Sequence, residues 1–417
     1  MLGYRFAFVG VVLAATCPAA AEPLAPTYTL SQLRAMAAGA HPTLDSADAA
    51  TRVAEGLLRQ ARAFVNPELE FESGRGRPRE GGGSRSEAFL ELRQSIEMPG
   101  LRRWRVRVAE LGVRGAEIER TQVTAVVDAT VARLAYGVLL EQRRAEIARQ
   151  SSELARRLLD LLTRRVELGE SAPLVAVKAR SEWFARRRDV LDAEAGLEAA
   201  RSALDLFCGG LGGGWEIAET LKAPAGDLPV DLVERLRSRN PILQRVAVAI
   251  EEAEARTEVV RRERLPGVEL SAGHETELDR TATSVGVGLI LPLWSRQGGA
   301  IQAAVAERER VLALQRALAS ELETELARAV AEYRRAEAVS RLHLEGWTAA
   351  ASRALDIATF SFENGEASLL DVLDSQRSYL EVARAEAESG AALALARVEI
   401  ERLIDGPLGV EASDEGR

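Results

Sequence analysis

Apolar and polar positions change period in a fixed order along this chain, and the order occurs twice. Leu69 and Phe71 alternate with Glu68, Glu70 and Glu72, and further on Ala88, Leu90 and Leu92 alternate with Glu87, Glu91 and Arg93. A period of two predicts strands with one apolar and one polar face. Val268 and Leu270 against Glu269 and Ser271, then Val285, Val287, Leu289 and Leu291 against Gly286 and Gly288, predict two more. After Pro99 and Pro292 the period turns helical and hardly pauses for about 65 residues, with Val123, Val126, Val127, Thr130, Leu134 and Val138 on one face. Such a helix is on the order of 100 Å long. It ends at Gly169-Glu170 in one case and Gly365-Glu366 in the other, and a second helix returns to Phe207 or Asp405. A helix over about 29–63 or 229–264 precedes each strand pair.

The recurrence is an internal duplication. A shift of 199 residues sets Pro42, Leu44, Pro67, Leu69, Phe71 and Gly74 over Pro241, Leu243, Pro266, Val268, Leu270 and Gly273. The shift falls to 193 at Pro99 and Pro292, then rises to 197 at Tyr136 and Tyr333. These slips imply a shorter strand loop in the second copy and about one extra turn in its long helix. The expected organisation is a first repeat over 22–208, a flexible Gly-rich connector over 209–228, a second repeat over 229–405 and a tail over 406–417. Gly209-Gly210-Leu211-Gly212-Gly213-Gly214 fits neither phosphate-loop spacing, G-x-G-x-x-G or G-x-x-x-x-G-K-[ST].

Composition and address narrow the possibilities. Arg5, the apolar run Phe6–Ala15 and Ala19-Ala20-Ala21 before Glu22 form a secretory signal over 1–21. Cys17 lies inside it, and Ala14-Ala15-Thr16 matches a lipidation site poorly. The mature chain keeps only Cys208 and closes no internal disulfide. Aromatics are 5% of 417 residues, which suits long helices better than a compact aromatic core. The net charge of −9 is spread through interleaved Arg and Glu, so the basic footprint of a nucleic-acid binder is missing. No later stretch has the roughly 18 consecutive apolar residues of a membrane helix, so a membrane would be crossed by strands.

Four strands cannot close a membrane barrel alone, because an open edge leaves backbone N–H and C=O groups bare in lipid. Three copies would supply twelve strands, with Glu70, Glu91 and Arg93 toward water and Leu90, Leu92, Val285, Val287 and Leu289 toward lipid. The fold class expected is mainly α with a small β part: long helical hairpins in a trimeric α-barrel above a 12-stranded β-barrel. The competing reading is a soluble periplasmic coiled-coil or adaptor-like protein, but an adaptor would carry one hairpin flanked by compact β domains. A porin would leave the long helices without use.

The arrangement resembles the TolC superfamily of outer-membrane efflux proteins, in particular its heavy-metal cation branch, over essentially the whole mature chain. The local likeness rests on Asn66-Pro67-Glu68-Leu69, on the strand-to-helix segments Gln94–Arg102 and Leu291–Gly298, and on the turns Val166–Ser171 and Glu363–Ser368. The resemblance implies a homotrimer in the outer membrane of a Gram-negative cell. It also implies a periplasmic adaptor protein, an inner-membrane pump of the RND type, and metal cations as cargo without any cofactor.

Candidate functional residues follow. Asp371 and Asp374, three apart, share a helix face past the second turn, and threefold symmetry would make each a ring of carboxylates that attracts cations. Two acids favoured by a helix N-terminus are the plainer account. The first copy has Val175 and Lys178 there. By resemblance, Val166, Leu168, Gly169, Glu170, Ser171, Asn364, Gly365, Glu366, Ala367 and Ser368 form the tip that meets the adaptor, with each Gly closing its helix in the left-handed conformation. Arg75, Arg77, Arg79 and Arg85 are expected in the first strand loop, either touching lipopolysaccharide phosphates or simply solvated. His41, His274 and His343 fall on different elements and do not make a metal site. Neither G-x-S-x-G nor H-E-x-x-H occurs, so no catalytic residue is assigned.

Overall fold

The computed structural model describes residues 26–77, 81, 83–221, 226–278, 280–294 and 296–408. The signal over 1–21, Cys17, Arg79, Ser295 and residues 409–417 of the tail lie outside them. The first copy runs β1 (Thr27–Tyr28), α1 (Leu30–Ala40), α2 (Pro42–Arg62), β2 (Glu68–Gly76), β3 (Arg85–Ile96), α3 (Leu101–Glu167) and α4 (Pro173–Phe207). The second runs β4 (Glu216–Ile217), α5 (Leu232–Arg239), α6 (Pro241–Glu263), β5 (Gly267–Thr276), β6 (Thr281–Ile290), α7 (Gly298–Leu344), α8 (Trp347–Glu363) and α9 (Leu369–Ile404).

The helix expected over 29–63 is two helices, and so is its counterpart over 229–264. Pro42 and Pro241 lack the N–H that a continuing helix needs, so each starts a new helix from its first position. Asn240 makes the second break a built joint. Its Oδ1 accepts from the N–H of Ile242 at 3.0 Å and of Leu243 at 3.3 Å, while its amide donates to the Leu403 carbonyl at 2.9 Å. Buried positions obey the duplication here: Leu33, Ala37 and Leu44 lie in one core with Val131, Val138 and Leu204, and Leu232, Leu236 and Leu243 lie in another with Leu326, Ile400 and Leu403.

α3 is one uninterrupted helix of 67 residues, as its period predicts, but the second long helix is broken. α7 stops at Leu344, and Gly346, at φ 110°, turns the chain into α8. The extra turn expected in that helix is not there either. Leu101 to Tyr136 and Gly298 to Tyr333 are equal lengths of chain, so the added residues lie in the entry segment between Pro292 and Gly298. α3 also holds an 18-residue stretch of mean hydropathy 1.6, long and apolar enough by composition to cross a membrane. Of it 33% is buried within the protomer, where α1, α4 and α9 pack on α3.

The sheet has the order β2-β3-β5-β6, antiparallel throughout, so the two copies meet at β3 and β5 while β2 and β6 are edges. The ladder runs from Glu68 opposite Arg93 to Gly76 opposite Arg85. Arg75 and Arg85 therefore belong to strands rather than to the loop, because pairing continues as far as backbone partners remain. Arg77 is in the loop. The connector is not loose over its described part. Leu211 and Trp215 are buried, β4 pairs in parallel with β1, and positive φ at Gly209, Gly210, Gly212 and Gly214 lets the chain coil this tightly.

Asn240→Ala removes a helix cap and leaves the buried Leu403 carbonyl without its donor. A loss of about 2 kcal/mol is expected, read as earlier loss of helical circular dichroism on heating, with a smaller loss for His41→Ala at the less buried matching cap.

Candidate functional site

Alternation along the ladder sorts the sheet into two faces. Leu69 stands opposite Leu92 and Phe71 opposite Leu90, and the same face continues through Val268, Leu270 and Ala272 to Leu289, Val287 and Val285. All of these side chains but the half-buried Val268 are exposed in the protomer, Val285 by 85% and Val287 by 69%. The other face carries Glu68, Glu70, Glu91, Arg93 and Glu269. Arg93 pairs with Glu91 and with Glu70 at 3.0 Å, one cation among carboxylates. A soluble sheet buries its apolar face, and this one buries neither.

At the far end of the hairpins both tips close by the same backbone device. The N–H of Gly169 bonds the Val166 carbonyl at 3.0 Å and that of Glu170 the Arg165 carbonyl at 2.8 Å; Gly365 and Glu366 repeat this on Phe362 and Ser361. Only glycine takes the required φ, 75° and 80° here, without strain. Leu168, Glu170, Asn364 and Glu366 are exposed beside these glycines, while Val166, Ser171 and Ala367 are half-buried.

The tips are also tied together, which the sequence pattern does not reveal. Arg165 of the first tip donates to the Phe362 and Glu363 carbonyls of the second, and its guanidinium lies 5.4 Å from the Phe362 ring centre. Phe362 is buried with Leu158, Leu162, Ala179 and Val372. Deeper in, the buried Gln376 amide donates to the Ser151 hydroxyl at 2.9 Å, joining α9 to α3.

Asp371 and Asp374 are both exposed on α9, yet their carboxylates differ in what they touch. Asp371 completes a capping box: it accepts from the Ser368 hydroxyl at 2.7 Å and from the Ser368 N–H at 2.9 Å, while its own N–H donates to the Ser368 Oγ. The Ser368 hydroxyl and backbone N–H hold this carboxyl below the usual carboxylate range. Among the described residues Asp374 pairs only with Arg377, at 3.9 Å, and both side chains are highly exposed, so its carboxylate stays open to solvent. Ala172, which caps α4 in the first copy, offers no side-chain bond.

The histidines are apart, as their spacing implies. His41 lies tilted against Phe207, His274 meets Thr283 at 3.0 Å, and His343 stacks on Trp347. Among the described residues no group of three or more His, Cys, Asp or Glu could hold a metal ion. Cys208 is buried, and burial raises its thiol above the ordinary range.

The profile of the family described as outer membrane efflux protein matches residues 33–210 and again 232–406. The chain belongs to that family. It is an efflux protein of the outer membrane, a family of ducts rather than of catalysts. It is 27% identical over 364 residues to the cobalt-zinc-cadmium resistance protein CzcC of Cupriavidus metallidurans, covering 86% of this chain and 84% of that one. It is also 27% identical over 310 residues to the nickel-cobalt-cadmium resistance protein NccC of Alcaligenes xylosoxydans xylosoxydans, covering 70% and 66%. Among solved structures, CusC superposes with a TM-score of 0.78 at 18% identity over 91% of this chain and 92% of that one. VceC of Vibrio cholerae gives 0.75 at 20% over 91% and 97%. These structural likenesses establish the shared fold.

In this efflux protein the Asp371 cap has a defined acid limit. A carboxyl whose folded pKa is depressed contributes fully above its unfolded value, about 3.9, and its contribution is lost as pH falls through the lower folded value. Backbone exchange protection at 369–373, corrected for intrinsic rate, is therefore expected to be flat between about pH 5 and 8. Ser368→Ala and Asp371→Ala should each speed exchange there by roughly fivefold, and Asp374→Ala should leave it unchanged.

Proposed function

We propose that this efflux protein is a homotrimeric duct that docks to a periplasmic adaptor, is fed by an inner-membrane pump of the RND type, and passes metal cations to the exterior. The observation that carries the reading is a four-stranded sheet with two open edges and an uncovered apolar face, on a protomer that also holds two long hairpins. β2 and β6 run antiparallel to one another, so β6 of one copy can continue the ladder onto β2 of the next without breaking the alternation. Three protomers then close twelve strands, with Leu90, Leu92, Val285, Val287 and Leu289 in lipid and the Glu-rich face in the lumen. The same symmetry gathers the hairpins into a periplasmic tube.

Metal cargo is supported by the names of CzcC and NccC and by the open carboxylate of Asp374 at the tube mouth. Asp371 serves the constriction through the shape of its capped helix, with its charge beside the opening. The exposed tip residues Leu168, Gly169, Glu170, Asn364, Gly365 and Glu366 form the adaptor's docking rim. Specificity for one cation over another is left to the pump, since among the described residues no group of three or more His, Cys, Asp or Glu could hold a metal ion.

The direct test is to float membranes of cells expressing the full chain and run the outer-membrane fraction unheated on a gel. A band of trimer size that collapses to monomer on boiling is the expected result; a chain found only in the soluble periplasmic fraction would falsify the duct. Val287→Arg puts a charge in the hydrocarbon at a cost of about 2–4 kcal/mol, so the trimer band should weaken sharply. In planar bilayers Asp374→Asn should reduce the preference for cations over anions, and Asp371→Asn should reduce it less.

A further inference from the structure

We propose that a groove walled by Arg62, Arg102, Arg103 and Arg107 binds the phosphate of an anionic glycerophospholipid in the periplasmic leaflet of the outer membrane. It rests on the reading that the sheet spans that membrane. The groove, about 650 Å³, is completed by Trp104, Val106 and Glu110.

Depth is the first argument. The apolar face of the sheet ends at Ile96, Val268 and Leu289, and α3 begins at Leu101. With a rise of about 1.5 Å per residue, Arg103 and Arg107 lie within roughly 10 Å of the helix start, which is the depth of a headgroup layer. Trp294, 94% exposed where β6 hands over to α7, marks the same boundary with an amphipathic ring.

Direction is the second. α3 meets α2 through Arg102 and Arg105, which donate to the carbonyls of Arg62, Ala61 and Ala63. It meets α6 through Trp104, Val108 and Leu111, packed with Val248 and Ala255. At about 100° per residue these two contact lines leave a narrow arc with Leu101 and Gly112 and a wide arc with Arg103, Val106, Arg107 and Glu110. In a closed tube of helices each neighbour sits toward the axis, so the wide arc faces out, toward lipid.

Charge is the third. Glu110 lies 3.6 Å from Arg62, and Glu251 lies 3.0 Å from Arg107, which leaves four guanidinium groups against two carboxylates. Arg103 is exposed with no ion pair or hydrogen bond among the described residues. Guanidinium forks match phosphate oxygens in pairs, and Trp104 and Val106 offer apolar surface to the glycerol and first methylenes. The first turn of α3 has no acidic side chain, so its positive end adds to the field.

The test uses trimer purified from floated outer membranes, reconstituted in vesicles of equal phosphatidylglycerol and phosphatidylcholine, re-extracted in mild detergent, and assayed for bound lipid by mass spectrometry. The wild-type chain should retain phosphatidylglycerol preferentially. The double variant R103Q/R107Q should lose this preference by at least about fivefold, since each arginine near a membrane surface is worth about that factor. Arg114→Gln, about two turns further along the same arc, should not alter it. Equal retention by wild type and R103Q/R107Q trimers overturns the proposal, and displacement of the lipid by inorganic phosphate would make this a free-phosphate site and overturn it too. A chain that does not float or form trimers refutes the duct instead, and is seen before any lipid is measured.

Discussion

Backbone hydrogen bonds with no partner at β2 and β6 govern the rest of this molecule. An edge strand in water is a hazard, but in hydrocarbon each bare N–H or C=O costs several kcal/mol. Strands of nine and ten residues therefore cannot end a sheet in a membrane. The strand order sends both edges outward and keeps the repeat junction, β3 against β5, inside the protomer. In the proposed duct completion comes from other copies, and the helices are set by where those strands deliver the chain.

Duplication supplies two hairpins, but the copies are not equivalent. α3 runs 67 residues without interruption, while its counterpart is divided at Gly346 into helices of 47 and 17. One copy thus provides a rigid stave and the other a jointed one. The jointed copy carries Asp371 and Asp374, and its tip is held to the rigid one by Arg165 on the carbonyls of Phe362 and Glu363 and by Gln376 on Ser151. The tips also share the apolar cluster of Leu158, Leu162, Ala179, Phe362 and Val372.

Composition of the two sheet faces explains how one small sheet serves two solvents. Val285, Val287 and Leu289 on one side and Glu68, Glu70, Glu91 and Glu269 on the other are interleaved residue by residue. A single-residue slip of register would exchange the two sets, so the polar and apolar patterns specify the pairing as strongly as the hydrogen bonds do.

Period and turn glycines are local properties, and repetition needs only one stretch of sequence laid over another, so all three are legible. The strands, the hairpins, the left-handed Gly169 and Gly365 and the family all follow from residues near one another in the chain. Where a Pro or Gly competes with a helical period, the sequence also marks the place: Pro42, Pro241 and Gly346 break helices that periodicity alone would continue. Other features depend on groups far apart in sequence. The packed connector needs Trp215 and Leu211 to meet α1 and α3; the tie between tips needs Arg165 to reach a carbonyl about 200 residues away. Asp371 and Asp374 look alike in a sequence, and only the placement of the Ser368 hydroxyl separates a carboxylate spent on a helix cap from one that faces solvent beside Arg377. Arg62, Arg102, Arg103 and Arg107 form one groove only because α2 ends where α3 begins, on opposite sides of a strand pair. Periodicity records what each residue prefers to face, whereas tertiary structure decides which distant residue it finds there.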